Sequence, residues 1–198
     1  MRLDGQGHLV LVAQREDFQG SDFTSARLHS QGKFDRLYGR FEARIRLPQG
    51  GKGVWPAFWM LGSNRTSVGW PACGELDVME NRGSEPGAVH GSAHGPGYSG
   101  GDAWTSFHRL VMPEVFSSDY HTFAIEWTTT QVRWFVDEAD YYNLMTPDGL
   151  VARGVEWVFD GPMFLLVNLA VGGNFDGNPE ASTPFPQTMY VDHIRVYE

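Results

Sequence analysis

Glu75, Asp77 and Glu80 place three carboxylates within six residues, in the stretch Gly74-Glu-Leu-Asp-Val-Met-Glu-Asn81. Leu76 and Val78 alternate with the first two acids, a period-2 pattern that predicts a strand. Side chains on a strand point to opposite faces in turn. Glu75 and Asp77 therefore share one face, and Leu76 and Val78 the other. Glu80 breaks this parity, because it stands five positions after Glu75. On a regular strand it would enter the core with Leu76, and a buried, unpaired carboxylate is costly. One extra residue at Val78 or Met79, a β-bulge, returns it to the Glu75 face. The two glutamates then form an i, i+4 pair with Cα atoms ~13 Å apart. Side chains leaning together on a curved strand can bring the carboxyls to the ~5–5.5 Å used for double displacement at an anomeric carbon. One carboxylate attacks; the other protonates the leaving oxygen and then activates water. The third, between them, can hold a proton or hydrogen-bond the nucleophile. The competing reading is a solvated strand face, against which stands the repulsion of like charges side by side.

The composition bounds what must position these acids. A chain of 198 residues is long enough for one domain with a sizeable core, here taken as 1–198. Aromatics make up 14%, with 24 Gly and 11 Pro, which favours an all-β domain rich in turns. The net charge of −9 repels phosphate backbones, so nucleic acid is excluded as a natural partner. Cys73 is the one cysteine, so no internal disulfide is available. It reads as a small packed thiol, since nothing adjacent would lower its pKa. No apolar run reaches membrane-spanning length, and His8–Ala13 is too short for a signal-peptide core.

In chain order, residues 7–13 and 23–29 read as the first two strands, and Gly32-Lys33 as a turn. Leu37–Leu47 alternates at length: Phe41, Ala43, Ile45 and Leu47 face the core, with Arg40, Glu42, Arg44 and Arg46 opposite. In the run 54–61, Trp55 and Trp59 point the same way, either as core filling or as flat platforms for sugar rings. Pro56 between them argues against a regular central strand. On 89–94, His90, Ser92 and His94 share a face; if this strand pairs with the acidic one, a histidine lies beside the acids. The two histidines alone do not make a zinc site, because a third ligand is missing. Residues 99–119 read as an irregular loop carrying Trp104 at a cleft rim. Residues 120–127 and 132–137 form a hairpin around 128–131. The apolar strand 163–171 carries Asn168, which bridges structurally or contacts a sugar. The chain closes on a strand over 188–197. Many strands and little helical periodicity predict a β-sandwich.

Several motifs together resemble the glycoside hydrolases of family sixteen. Glu75-Leu-Asp-Val-Met-Glu80 is similar to the catalytic signature in the form with an extra residue before the last Glu. That form goes with laminarinases, agarases and carrageenases rather than lichenases. Tyr38-Gly-Arg-Phe-Glu-Ala-Arg44, Trp55-Pro-Ala-Phe-Trp-Met-Leu61, Trp70-Pro-Ala-Cys-Gly-Glu75, His94-Gly-Pro-Gly-Tyr-Ser-Gly100, Asn168-Leu-Ala-Val-Gly-Gly-Asn174 and Pro186-Gln-Thr-Met-Tyr-Val-Asp192 resemble bacterial endo-β-1,3-glucanases. The resemblance covers nearly the whole chain. It implies a concanavalin-like jelly roll of two antiparallel sheets with a concave cleft. It further implies a secreted, retaining endo-hydrolase of β-1,3-glucan, with Glu75 as nucleophile, Glu80 as acid/base and Asp77 assisting. The alternatives are a hydrolase of β-1,3-1,4-glucan or an algal galactan, and a silent glucan-binding module, a class that usually loses one or both glutamates. Arg40, Trp55, Trp59, Trp70, His94 and Asn168 match positions that line sugar subsites. Phe175 stands where such domains usually carry Trp, which makes one rim aromatic smaller. No cofactor is required. Asp192 matches a structural calcium ligand, but the residues that such domains place before the strand near His8 have no counterpart here. Without them, the first strand is expected to expose an edge that another segment fills or that pairs with a second molecule; self-association or reduced stability is expected, and calcium is expected to bind weakly or not at all.

Overall fold

The computed structural model describes residues 1–137 and 139–198. Among them, two antiparallel sheets stack face to face. Strands are numbered in chain order. The eight-stranded sheet runs β1 (Arg2–Leu3), β2 (Leu9–Phe18), β14 (Gln187–Tyr197), β5 (Gly39–Arg46), β10 (His121–Trp127), β11 (Val132–Val136) and β12 (Asn143–Met145), with β3 (Ser21–Thr24) beside β2. The six-stranded sheet runs β4 (Arg27–His29), β13 (Met163–Val171), β6 (Val54–Gly62), β7 (Glu75–Asn81), β8 (Ala88–His94) and β9 (Trp104–Arg109). This is the jelly-roll sandwich that the strand-rich, helix-poor pattern predicts.

The core lies between the sheets because each central strand alternates. From β5 come Phe41, Ala43 and Ile45; from β6, Val54, Phe58 and Met60; from β10, Phe123 and Ile125. All are fully buried, and the Val, Ile, Phe and Met side chains among them contribute about 1.5–3 kcal/mol each. The hairpin of β10 and β11 closes where expected, with Thr128 N–H donating to the Gln131 carbonyl. The ladder between β6 and β7 begins at Ala57, just past Pro56, so the strand continues through the proline.

Three expectations change. The first strand runs on to Phe18, its outer half leaving the sandwich as an exposed hairpin with β3. The expected second strand is broken at Ser25-Ala26, where the chain crosses from one sheet to the other and hydrogen-bonds to Leu169. Within 99–119, β9 is a regular strand; Thr105, Ser106 and His108 hide its alternation from a hydrophobicity reading.

The free side of β2 is also occupied. Arg2 and Leu3 pair with Val10 and Leu9, and residues of β3 pair with Gln14, Arg15 and Phe18. The open edge expected of this strand shrinks to Leu11–Ala13. An apolar groove nonetheless opens at this flank between the sheets, lined by Leu9, Leu28, Leu165, Val167, Ile194 and Val196.

Candidate active site

Strand β7 carries the site. Opposite β8, Asp77 pairs with Ser92 and Glu80 with His90, so Val78 and Met79 together oppose Gly91. The ladder to β6 shifts at the same place. This is the bulge that the parity of Glu80 demands. Val78 and Met79 both bury in the core, and Glu75, Asp77 and Glu80 all emerge on the outer face.

The opposite sheet braces the bulge. Trp134 Nε1 donates to the Asp77 carbonyl at 2.8 Å, and Asn143 Nδ2 donates to the Gly91 carbonyl at 2.9 Å. Both carbonyls are buried and need a donor. Gly91 must be glycine: a Cβ there would lie 2.3 Å from Trp134 Cδ1 and 2.5 Å from the Tyr142 hydroxyl.

The acids sit where two hollows meet. One is lined by Arg27, Trp55, Ala57, Trp59 and Asn168. The other holds Arg82, His90, His94, Phe107 and Phe175. Trp55 walls both, and its Nε1 donates to Glu80 Oε1 at 3.0 Å. Trp59 Nε1 donates to Asn168 Oδ1 at 2.8 Å. The two tryptophans therefore face the cleft and not the core. Asn168 fulfils both of its readings, bridging to an indole while lining the cleft. His94 Nε2 lies 2.9 Å from Asp77 Oδ2. Trp70 is half exposed at the rim, its ring centred 6.2 Å from that of His94.

Burial decides the electrostatics. It is the largest cause raising Glu75 to about 8, followed by the neighbouring Asp77 carboxylate; His94 and Arg27 oppose the rise. Burial likewise pushes Asp77 up. Glu80 is pushed well above the usual carboxylate range by burial and then by Asp77. Three acids this close and this dry cannot all ionise together. The arrangement can hold a proton on one glutamate near neutral pH while offering an anionic oxygen on the other.

Two matched residues lie elsewhere. Arg40 belongs to β5, on the outer face of the other sheet, where it donates to Glu42 at 3.0 Å and to Glu126 at 3.3 Å. It does not reach the cleft, because β5 and β7 belong to opposite layers. Asp192 accepts from Arg44 at 2.9 Å and has His193 Nδ1 at 3.4 Å; the Arg44 bond is the main cause of its lowered pKa. Calcium takes six to eight oxygen ligands; here one Asp192 oxygen is held by a guanidinium.

Several cleft residues escaped the sequence reading. Arg27 stacks over the Trp59 ring at 5.3 Å, and Phe107 borders the second hollow. Phe107, not Trp104, is the rim aromatic of β9; Trp104 turns inward and donates to Asn143 at 3.2 Å. Alternation within 23–29 was the available signal for Arg27, none marked Phe107, and only the pairing of β4 and β9 places them. Cys73 is buried, and burial raises its thiol, as a packed cysteine requires.

The architecture has known counterparts. The laminarinase catalytic domain from Thermotoga maritima MSB8 superposes with a TM-score of 0.93 at 48% identity, covering 98% of this chain and 78% of that one. A "Beta-glucanase" of Rhodothermus marinus is 42% identical, over 98% of this chain and 68% of its own length. "Glucan endo-1,3-beta-glucosidase A1" of Niallia circulans is 38% identical over 90% of this chain, which spans only 27% of it. The family description "Glycosyl hydrolases family 16" matches residues 2–191, a span that takes in strands of both sheets and every acid of the bulged strand. The chain thus belongs to family 16 of the glycosyl hydrolases.

Proposed function

We propose that this chain is a retaining endo-hydrolase of β-1,3-glucan. The observation that carries the reading is the bulged strand, which sets Glu75, Asp77 and Glu80 on one face of a cleft walled by tryptophan. Glu75 is the nucleophile: Arg27 favours its charged form against burial and the Asp77 carboxylate, and positive charge developing at the anomeric carbon favours it further. Glu80 is the acid/base: burial and then Asp77 raise it well above the usual carboxylate range, the direction an acid that must arrive protonated requires. In the first step a Glu75 oxygen bonds to the anomeric carbon, the bond to the leaving sugar breaks, and Glu80 protonates the departing oxygen. In the second, Glu80 takes a proton from water as the water oxygen displaces Glu75, and both carboxyls return to their starting states. Asp77 lies between them and adjusts how the shared protons divide.

Hollows on both sides of the acids let a polymer pass through, which supports internal cleavage. Trp55 and Trp59 offer apolar faces to the C–H surfaces of sugar rings. The similarity to β-glucanases and laminarinases supports a β-1,3-glucan substrate, and loops bordering the cleft set the linkage preference. A polymer substrate does not cross a membrane, which supports action outside the cell. The test is reducing-end release from laminarin beside mixed-linkage glucan, agarose and carrageenan, with NMR of the first product. Laminarin cleavage giving the β-anomer first is expected. An inverted first product would overturn the retaining mechanism, and glucan binding without turnover would leave a binding module.

A further inference from the structure

His94 makes one contact that the double displacement leaves unexplained. The backbone N–H of Gly100 donates to its Nδ1 at 3.1 Å. A neutral imidazole has one N–H and one acceptor nitrogen, and the neighbours choose between them. With Nδ1 accepting an amide hydrogen, the ring proton resides on Nε2. That nitrogen lies 2.9 Å from Asp77 Oδ2 and 3.8 Å from Glu75 Oε1. Asp77 Oδ2 is shut off from solvent, and no well-aligned donor satisfies it among the described residues. The His94 contact is short but bent, as catalytic hydrogen bonds often are before substrate arrives.

The geometry also bears on metals. Ligand atoms of Glu75, Asp77 and His94 lie within 4.8 Å of one another, close enough to surround an ion. A metal at this point needs the lone pair of Nε2. The Gly100 amide instead directs the ring's lone pair to Nδ1, away from the acids. Gly100 has φ of 59°, a left-handed conformation that suits glycine, and it heads the short turn Gly100–Asp102 on the cleft wall.

We propose that the Gly100 amide locks His94 in the Nε2–H tautomer. In that form His94 is a positioning residue: it donates to Asp77 and keeps the acid cluster from capturing a divalent metal. The donor role rests on the reading of Glu75, Asp77 and Glu80 as the reacting acids; the tautomer does not.

The direct test is proton–nitrogen NMR of the imidazole rings in the full chain, labelled with nitrogen-15. The His94 signals are assigned by their loss in His94→Gln. A protonated Nε2 beside an unprotonated, hydrogen-bonded Nδ1 is expected, unchanged on adding Zn²⁺. A protonated Nδ1, or Zn²⁺ that moves the His94 signals in the parent but not in Glu75→Gln, overturns the proposal while leaving the hydrolase reading intact. Kinetics tests the donor role separately. His94→Leu should lower kcat about 10- to 100-fold, the range for leaving a buried acceptor unpaired, with little change in KM. His94→Gln, whose amide N–H reaches the Nε2 position, should recover most of that loss. Equal losses in both variants would sink the donor role.

Discussion

At the residue scale, the three acids are held at a cost to stability. Each is raised by burial, Glu75 from the usual 4.5 to about 8. Between those two values the native state binds more protons than the unfolded chain, so stability falls as pH rises through the window. Glu75→Gln, Asp77→Asn and Glu80→Gln remove the charge without changing shape. Each should raise the melting temperature at pH 8, by the order of 1–3 kcal/mol in stability, with the gain fading toward pH 4.5. The two glutamine variants should also lose about a thousandfold or more in kcat. Melting curves at both pH values check the sign; equal shifts at pH 4.5 and 8 would contradict it. Trp59 makes a different prediction, because it faces the cleft rather than the core. Trp59→Ala should weaken laminarin-oligosaccharide binding while costing less than the ~3–5 kcal/mol of a core Trp deletion. Calorimetry and thermal melts separate the two effects.

At the element scale, the bulge depends on groups far away in sequence. Gly91 leaves room for Trp134, and Trp134 satisfies the Asp77 carbonyl. Gly91→Ala should destabilise by about 1–3 kcal/mol through overpacking. Trp134→Phe removes one donor from a buried carbonyl and should also cost about 1–3 kcal/mol. Both should lower kcat more than they raise KM, since they move the acids and not the sugar platforms. Denaturant titration with steady-state kinetics tests this pair. A stable Gly91→Ala enzyme with normal kcat would show that the bulge survives without its brace.

At the scale of the whole molecule, the paired flank of β2 changes the outlook for association. Hydrogen bonds to β1 and β3 leave only Leu11–Ala13 unpaired, and short open edges invite little strand addition. Sedimentation velocity should therefore return one species with the mass of a single chain. A dimer at micromolar concentration would point to the apolar groove beside Leu28 and Ile194 rather than to the edge. Calcium belongs to this scale too. A ligand stabilises a fold only by binding it, and Asp192 is engaged by Arg44. Melting temperatures in calcium and in chelator should agree within error; a large rise with calcium would reveal a site built from other groups.

What the residues determined by themselves were the properties that follow from order along one strand. The parity of Glu75, Asp77 and Glu80 required a bulge at Val78 or Met79, because a glutamate in the core is too costly. The alternation of β5 likewise located its inward and outward faces, and the Trp55–Trp59 spacing put both indoles on one face without saying which. Tertiary structure decided which layer each outward face looked from. Arg40 and Trp55 both point outward from alternating strands, yet one faces solvent behind the eight-stranded sheet and the other walls the cleft. Periodicity records a face, not a sheet. Arg27 and Phe107 entered the site only through the pairing of β4 with β13 and of β9 with β8. The proton on His94 was likewise settled by a loop amide six residues away, a contact that no pattern of side chains encodes.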